Sequence, residues 1–162
     1  MRLIGNMGFV NVFRRDRGFL FDANFKRVKS NYSQLKSILP NILGNSLPSH
    51  FSKLGTFNLS GLVKVTPDHI DTTLEVESEI GTTISDLQLT NIKNIDTAVY
   101  SGEVEFVDVD LGSFANNPKL GKVSLKADVS GSGFKIDNIN TSFVGTVYSI
   151  YFNGYSLSLI HI

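Results

Sequence analysis

The chain contains no cysteine. Disulfides and thiolate metal sites are excluded, while the cellular compartment stays undecided. Tryptophan is missing too, and the aromatic set is weighted toward phenylalanine, with 12 Phe against 5 Tyr. No apolar run approaches the roughly 18 residues of a membrane-crossing helix. Residues 1–10 lack the basic stretch and sustained apolar segment of a secretory signal. The missing signal and anchor fit a chain whose natural start lies upstream. Net charge is also nil, with 15 Lys and Arg against 15 Asp and Glu. The balance is uneven along the chain: residues 1–55 hold nine basic and two acidic side chains, and 56–162 hold six and thirteen. The basic residues Arg14, Arg15, Arg17, Lys26, Arg27 and Lys29 fall in expected strands and turns without a recognition-helix pattern. They read as a solvated face, and nucleic acid is not expected as a partner.

What the chain does have is alternation. In Lys119–Tyr155, Val123, Leu125, Ala127 and Val129 alternate with Lys122, Ser124, Lys126 and Asp128, the period of two of a half-buried strand. The run Ser130-Gly131-Ser132-Gly133 is expected to turn the chain, with Phe134 and Ile136 starting the return strand. Asn140-Thr141 breaks the pattern, and Phe143–Phe152 reads as a longer strand that is apolar on both sides. Asn153-Gly154 predicts a type I′ hairpin, which needs positive φ at both central residues.

Earlier, 7–13 and 19–28 read as strands around a turn at 15–18, with Phe19, Phe21, Ala23 and Phe25 on one face. Tyr32–Leu43 predicts a helix capped by Ser33, with a stripe of Leu35, Ile38, Leu39 and Ile42 and a kink or break at Pro40. A second short helix is expected from Pro48 to Gly55. In the meander beyond it, Phe57, Leu59, Val63 and Val65 share one side of a strand. Ile70, Leu74, Val76 and Ile80 do the same in strand 69–80, against Asp71, Glu75, Glu77 and Glu79. A phase slip between Ile84 and Leu87 predicts a bulge. Ala98, Tyr100, Val104 and Phe106 share the next apolar side, and Val107, Val109 and Leu111 change register into a helical turn within 112–118. The segment that begins at Lys53-Leu54-Gly55 is echoed 66 residues later by the one that begins at Lys119-Leu120-Gly121. Residues 53–162 therefore read as two repeat-like β meanders, with 31–55 a helical insertion, in a single segment 1–162.

Candidate chemistry is thin. His50, His69 and His161 are far apart and in no metal-ligand spacing. Ser49-His50 has neither nucleophile-elbow glycines nor an orienting acid. Asp108 and Asp110 resemble the start of a calcium loop, but its fifth position is Gly112 and its twelfth Lys119, where a bidentate Glu is needed. Gly131-Ser132-Gly133 lacks the ending of a phosphate loop. The carboxylates Glu75, Glu77, Glu79, Glu103 and Glu105 line strand faces and read as solvated rather than as an acid–base pair. No enzyme activity, cofactor or metal is expected.

The residues point to a mostly-β chain: a curved antiparallel sheet of about eight to ten strands with one or two short helices near residues 31–55. Nearly every strand has one apolar side, which a second sheet, a helix or a ligand must cover. The pattern alone favours an ordinary packed core, such as a closed β-sandwich used in adhesion or glycan binding, with Tyr151 and Tyr155 on a rim. Five pieces in order, LKSILPNILGNSLPSHFSKLG (35–55), SDLQLTN (85–91), VDLGSF (109–114), KLGKVSLKADVSGSGF (119–134) and YFNGY (151–155), resemble the AsmA-like translocation and assembly module (TamB) family. The resemblance spans roughly residues 18–155 and holds no catalytic signature. It implies a fragment of a much longer periplasmic protein, anchored in the inner membrane. Such a protein has a taco-like β-groove that serves phospholipid transport and outer-membrane protein assembly. Expected partners are phospholipid acyl chains and an outer-membrane assembly protein of the barrel-insertion type. The groove residues are then Phe57, Leu59, Val63, Leu74, Val76, Tyr100, Val104, Phe106, Val123, Leu125, Val129, Tyr148, Ile150 and Phe152.

Overall fold

The computed structural model describes residues 2–10, 20–43, 49–94, 96–134 and 139–161. The strands are β1 (Arg2–Val10), β2 (Leu20–Asn31), β3 (Thr56–Val65), β4 (His69–Ser78), β5 (Gly81–Thr90), β6 (Val99–Asp110), β7 (Leu120–Ser132), β8 (Asn140–Phe152) and β9 (Tyr155–His161). They form one antiparallel sheet in the order β1 to β9, each paired with its sequence neighbours. The sheet is curved and open. Helix α1 (Tyr32–Leu43) and a 3-10 helix (Ser49–Leu54) join β2 to β3, and α2 (Leu111–Ala115) joins β6 to β7.

Register explains why the alternation matters. Directly opposed residues of an antiparallel pair lie on the same face. One row runs Ala23, Val63, Thr72, Leu87, Gly102, Val129, Phe143 across seven strands, the next on that face runs Gly61, Leu74, Ser85, Val104, Ala127, Gly145, and the one after it Val28, Leu59, Val76, Thr83, Phe106, Leu125, Val147. The rows between them, on the other face, read Leu62, Thr73, Asp86, Glu103, Asp128, Val144 and Ser60, Glu75, Ile84, Glu105, Lys126, Thr146. One face of the sheet is therefore apolar and the other polar, as one-sided burial of an antiparallel sheet demands.

Two buried clusters sit on the apolar face. Phe21, Ala23, Val65, Ile70 and Ile92 form one, and the other centres on Tyr100, Val104, Val123, Leu125 and Ala127. Ile92 comes from the β5–β6 connection, so that loop folds back over the end of its own face. Phe134 lies over Tyr100 with ring centroids 4.9 Å apart. At the opposite end, the 3-10 helix and α2 meet through His50, Phe51 and Phe114, with centroids 4.9 to 5.8 Å apart.

Several local expectations change. Asn31, not Ser33, caps α1: its Oδ1 accepts the Gln34 N–H at 3.1 Å. The helix runs through Pro40 to Leu43. Strand β4 ends at Ser78, so Glu79 belongs to the turn, where its Oε1 accepts the Thr56 N–H at 2.9 Å. The Ile84 bulge does not exist. Strand β5 keeps unbroken register with both neighbours, and Ile84 is simply an exposed apolar residue among the acids of the outer face. The chain does not turn at Ser130–Gly133 either. Strand β7 continues through Ser132, because Gly131 still pairs with Tyr100 and Thr141. Only Gly133 leaves the strand, at φ 75°, and β8 begins at Asn140, where a break was expected. The expected turn at 15–18, Phe19 and Ile136 lie outside the described residues. At Asn153-Gly154 both φ values are positive, 49° and 88°, as a type I′ hairpin requires.

Candidate functional site

The candidate site is the apolar face itself. Thirteen of the fourteen residues singled out from the sequence share it by register: Phe57, Leu59 and Val63 on β3, Leu74 and Val76 on β4, Tyr100, Val104 and Phe106 on β6, Val123, Leu125 and Val129 on β7, and Ile150 and Phe152 on β8. Tyr148 does not. The β7–β8 register shifts between Ser124 and Leu125, leaving Tyr148 as the extra residue, and its phenol stands near the outward Lys126. A bulge of this kind re-aims one side chain, and nothing in the alternation of residues 143–152 announced it.

Burial is graded across the face. Phe57, Tyr100, Val104, Val123, Leu125 and Val129 are buried, Leu59, Val63, Leu74, Val76, Phe106 and Ile150 half-buried, and Phe152 exposed. Val123 is 1% exposed, whereas toward the β9 edge Phe152 is 46% and Leu157 45% exposed. The gradient follows from the architecture. Each side chain on a curved sheet is covered mainly by its cross-strand neighbours and by the segments folded over the ends, and an edge has neighbours on one side only. At the other edge, Met7 is 47% exposed. The total accessible surface is 9822 Å² for 17.8 kDa, where a compact monomer of that mass exposes about 8,000 Å². A single sheet with no second sheet among the described residues also removes the basis for a closed sandwich.

Several titratable groups are fixed by burial, hydrogen bonds or ion pairs. Burial at the junction of the 3-10 helix and α2 holds the His50 imidazole below its ordinary pKa. His69 Nε2 lies 2.8 Å from Asp71 Oδ1. The Asp110 carboxylate accepts from the Ser113 hydroxyl at 2.6 Å and from its N–H at 2.9 Å, and these bonds hold its pKa below the usual carboxylate range. Asp110 thus caps α2 instead of opening a calcium loop. Lys126 Nζ sits 3.0 Å from Glu103, whose hydrogen bond and charge raise the lysine pKa. Among the described residues no group of three metal-ligating side chains gathers, and no helix is long and apolar enough to cross a membrane.

The β8–β9 hairpin differs from the rest of the sheet. From Asn138 to Ile162 the chain carries no Asp, Glu, Lys or Arg. Phe143, Val144, Tyr148, Tyr151, Phe152, Tyr155 and Leu157 are all exposed there, on both faces. Comparison with protein-family models, with curated proteins and with solved structures returns no match.

Proposed function

We propose that the chain is a non-enzymatic carrier surface whose apolar face receives phospholipid acyl chains, in the manner of the AsmA-like translocation and assembly module family that the sequence resembles. The supporting observation is the predominantly apolar face of an open nine-stranded sheet, whose exposure rises from β7 toward β8–β9. Moving a methylene from water onto such a surface is worth about 0.8 kcal/mol, so a hydrocarbon tail needs no catalytic group to be held. The contact is assigned to the graded end of the face, Ile150, Phe152 and Leu157, because Val104 and Leu125 are already covered by protein. Periplasmic residence, an inner-membrane anchor in the full-length protein and a barrel-insertion partner belong to the same reading and rest on the resemblance.

Photo-crosslinking tests it. A photoreactive phenylalanine analogue at Phe152 or Leu157 is expected to capture radiolabelled phospholipid from vesicles. The same probe at Leu62, equally exposed at 46% but on the polar face, is expected to capture none. Equal labelling from the two faces, or none from either, overturns the proposal.

A further inference from the structure

On the polar side of the sheet a hollow lies where the β6–β7 connection meets the end of β8. It has a volume of about 620 Å³, and its lining includes Asp110, Ser113, Asn116, Asn117, Lys122 and Tyr151, within the 300–1,000 Å³ usual for small-ligand sites. We infer that this hollow binds a neutral saccharide, stacked on Tyr151 and hydrogen-bonded by the 110–122 loop.

The aromatic wall is fixed by sequence. Strand β7 bulges between Leu120 and Val123, so Gly121 and Lys122 together face Tyr151. A Cβ on Gly121 would lie 2.6 Å from the Tyr151 ring, so only glycine lets the ring settle against the strand. The ring is held in place yet stays 48% exposed. An aromatic side chain pinned by backbone while nearly half in water offers a flat apolar platform at little entropic cost.

The polar wall is equally pre-set. The Asn117 N–H bonds Gly112 O at 3.0 Å, Leu120 N–H bonds Asn117 O at 3.1 Å, and Asn153 N–H bonds Lys119 O at 2.7 Å. Asn117 Oδ1 accepts the Lys119 N–H at 3.1 Å, which leaves its NH₂ as donor. Asn116 stands in the left-handed region at φ 54° and is exposed. Both Asp110 oxygens are oriented by Ser113, and the carboxylate keeps acceptor capacity for a further donor. Amide donors, a fixed carboxylate acceptor and one ring match the hydroxyls and C–H face of a pyranose. The mixture of Asp110 and Lys122 gives no net charge to attract an ion. The density of polar groups is wrong for an acyl chain, and a single serine-bound carboxylate is wrong for a metal. The site is separate from the apolar face, and its success or failure leaves the lipid reading untouched.

Two-dimensional ¹H–¹⁵N NMR of the whole chain, titrated with maltose and with N-acetylglucosamine, tests it. The expected result is saturable shifts confined to residues 110–122 and 151, with a Kd on the order of 1–10 mM for at least one sugar. Asn116→Gly keeps the left-handed turn and removes the amide, and Tyr151→Leu removes the ring. Each is expected to weaken binding about tenfold, while Phe143→Ser, on the other face, leaves it unchanged. If Tyr151→Leu fails to fold, Asn116→Gly carries the comparison alone. No saturable shift up to about 50 mM, shifts scattered over the sheet, or wild-type affinity in Asn116→Gly overturns the assignment.

Discussion

Strands β7 and β9 carry the same alternation and meet very different fates. On β7, Val123, Ala127 and Val129 are 1, 3 and 6% exposed, between full-length neighbours on either side. On β9, Leu157 is 45% and Tyr155 71% exposed, with β8 on one side and, among the described residues, no strand on the other. The polar faces differ as well: β7 presents Lys122, Lys126 and Asp128, whereas β8 and β9 present no Asp, Glu, Lys or Arg. Period two therefore says which side of a strand is apolar, and strand position decides how far that side is removed from water. A free, uncharged edge is a feature that monomeric sheets usually blunt with Lys, Pro or a bulge.

The largest expected effect comes from putting a charge into the closed region. Val123→Asp buries an unpaired carboxylate and is expected to lose on the order of 4 kcal/mol or more, read as a lower urea midpoint. The parallel change Leu157→Asp on β9 is expected to cost less than about 1 kcal/mol. Similar losses at the two positions would mean that the edge is as sealed as the middle. A smaller effect concerns the connection from β6 to β7. Asp110→Ala removes the cap of α2 and is expected to cost about 1 kcal/mol near neutral pH. Because the folded carboxyl titrates below its ordinary value, its stabilisation is present above the unfolded pKa and lost as pH falls through the folded one. The variant should therefore converge on the wild type below about pH 4, as urea midpoints measured across that range will show. Smallest of all is Glu79→Ala, which frees the exposed Thr56 N–H. About 0.5 kcal/mol is expected, visible as faster amide exchange at Thr56 with little change in the global midpoint.

Much of this was legible from residues alone. The span of α1, the helical turn after Pro48, the strand faces of Phe57–Val65 and Val123–Val129 and the Asn153-Gly154 hairpin follow from local chemistry: apolar spacing, glycine at a helix end, positive φ. The misses share a cause. Ser130–Ser132 carries turn chemistry but stays in the sheet because Tyr100 and Thr141 supply pairing on both sides of Gly131, and tertiary pairing outweighs local preference. Ile84 reads as a phase slip because one apolar residue on the wet face breaks a strict alternation without any bulge. Tyr148 reads as inward because a bulge on β8 depends on the partner strand, which no single-strand pattern contains. The Tyr151 hollow was hidden for the same reason: its glycine and its ring are 30 positions apart, and only pairing sets one against the other.

The sequence by itself determined that the chain folds as antiparallel strands with one greasy and one wet side, because side-chain alternation is a local property of the extended backbone. Only the tertiary structure decided that these strands form one open sheet, that its β6–β7 region is covered while the β8–β9 end stays bare, and that Gly121 lies beneath Tyr151. Those outcomes depend on which strands become neighbours, and neighbours are set by pairing across the whole chain.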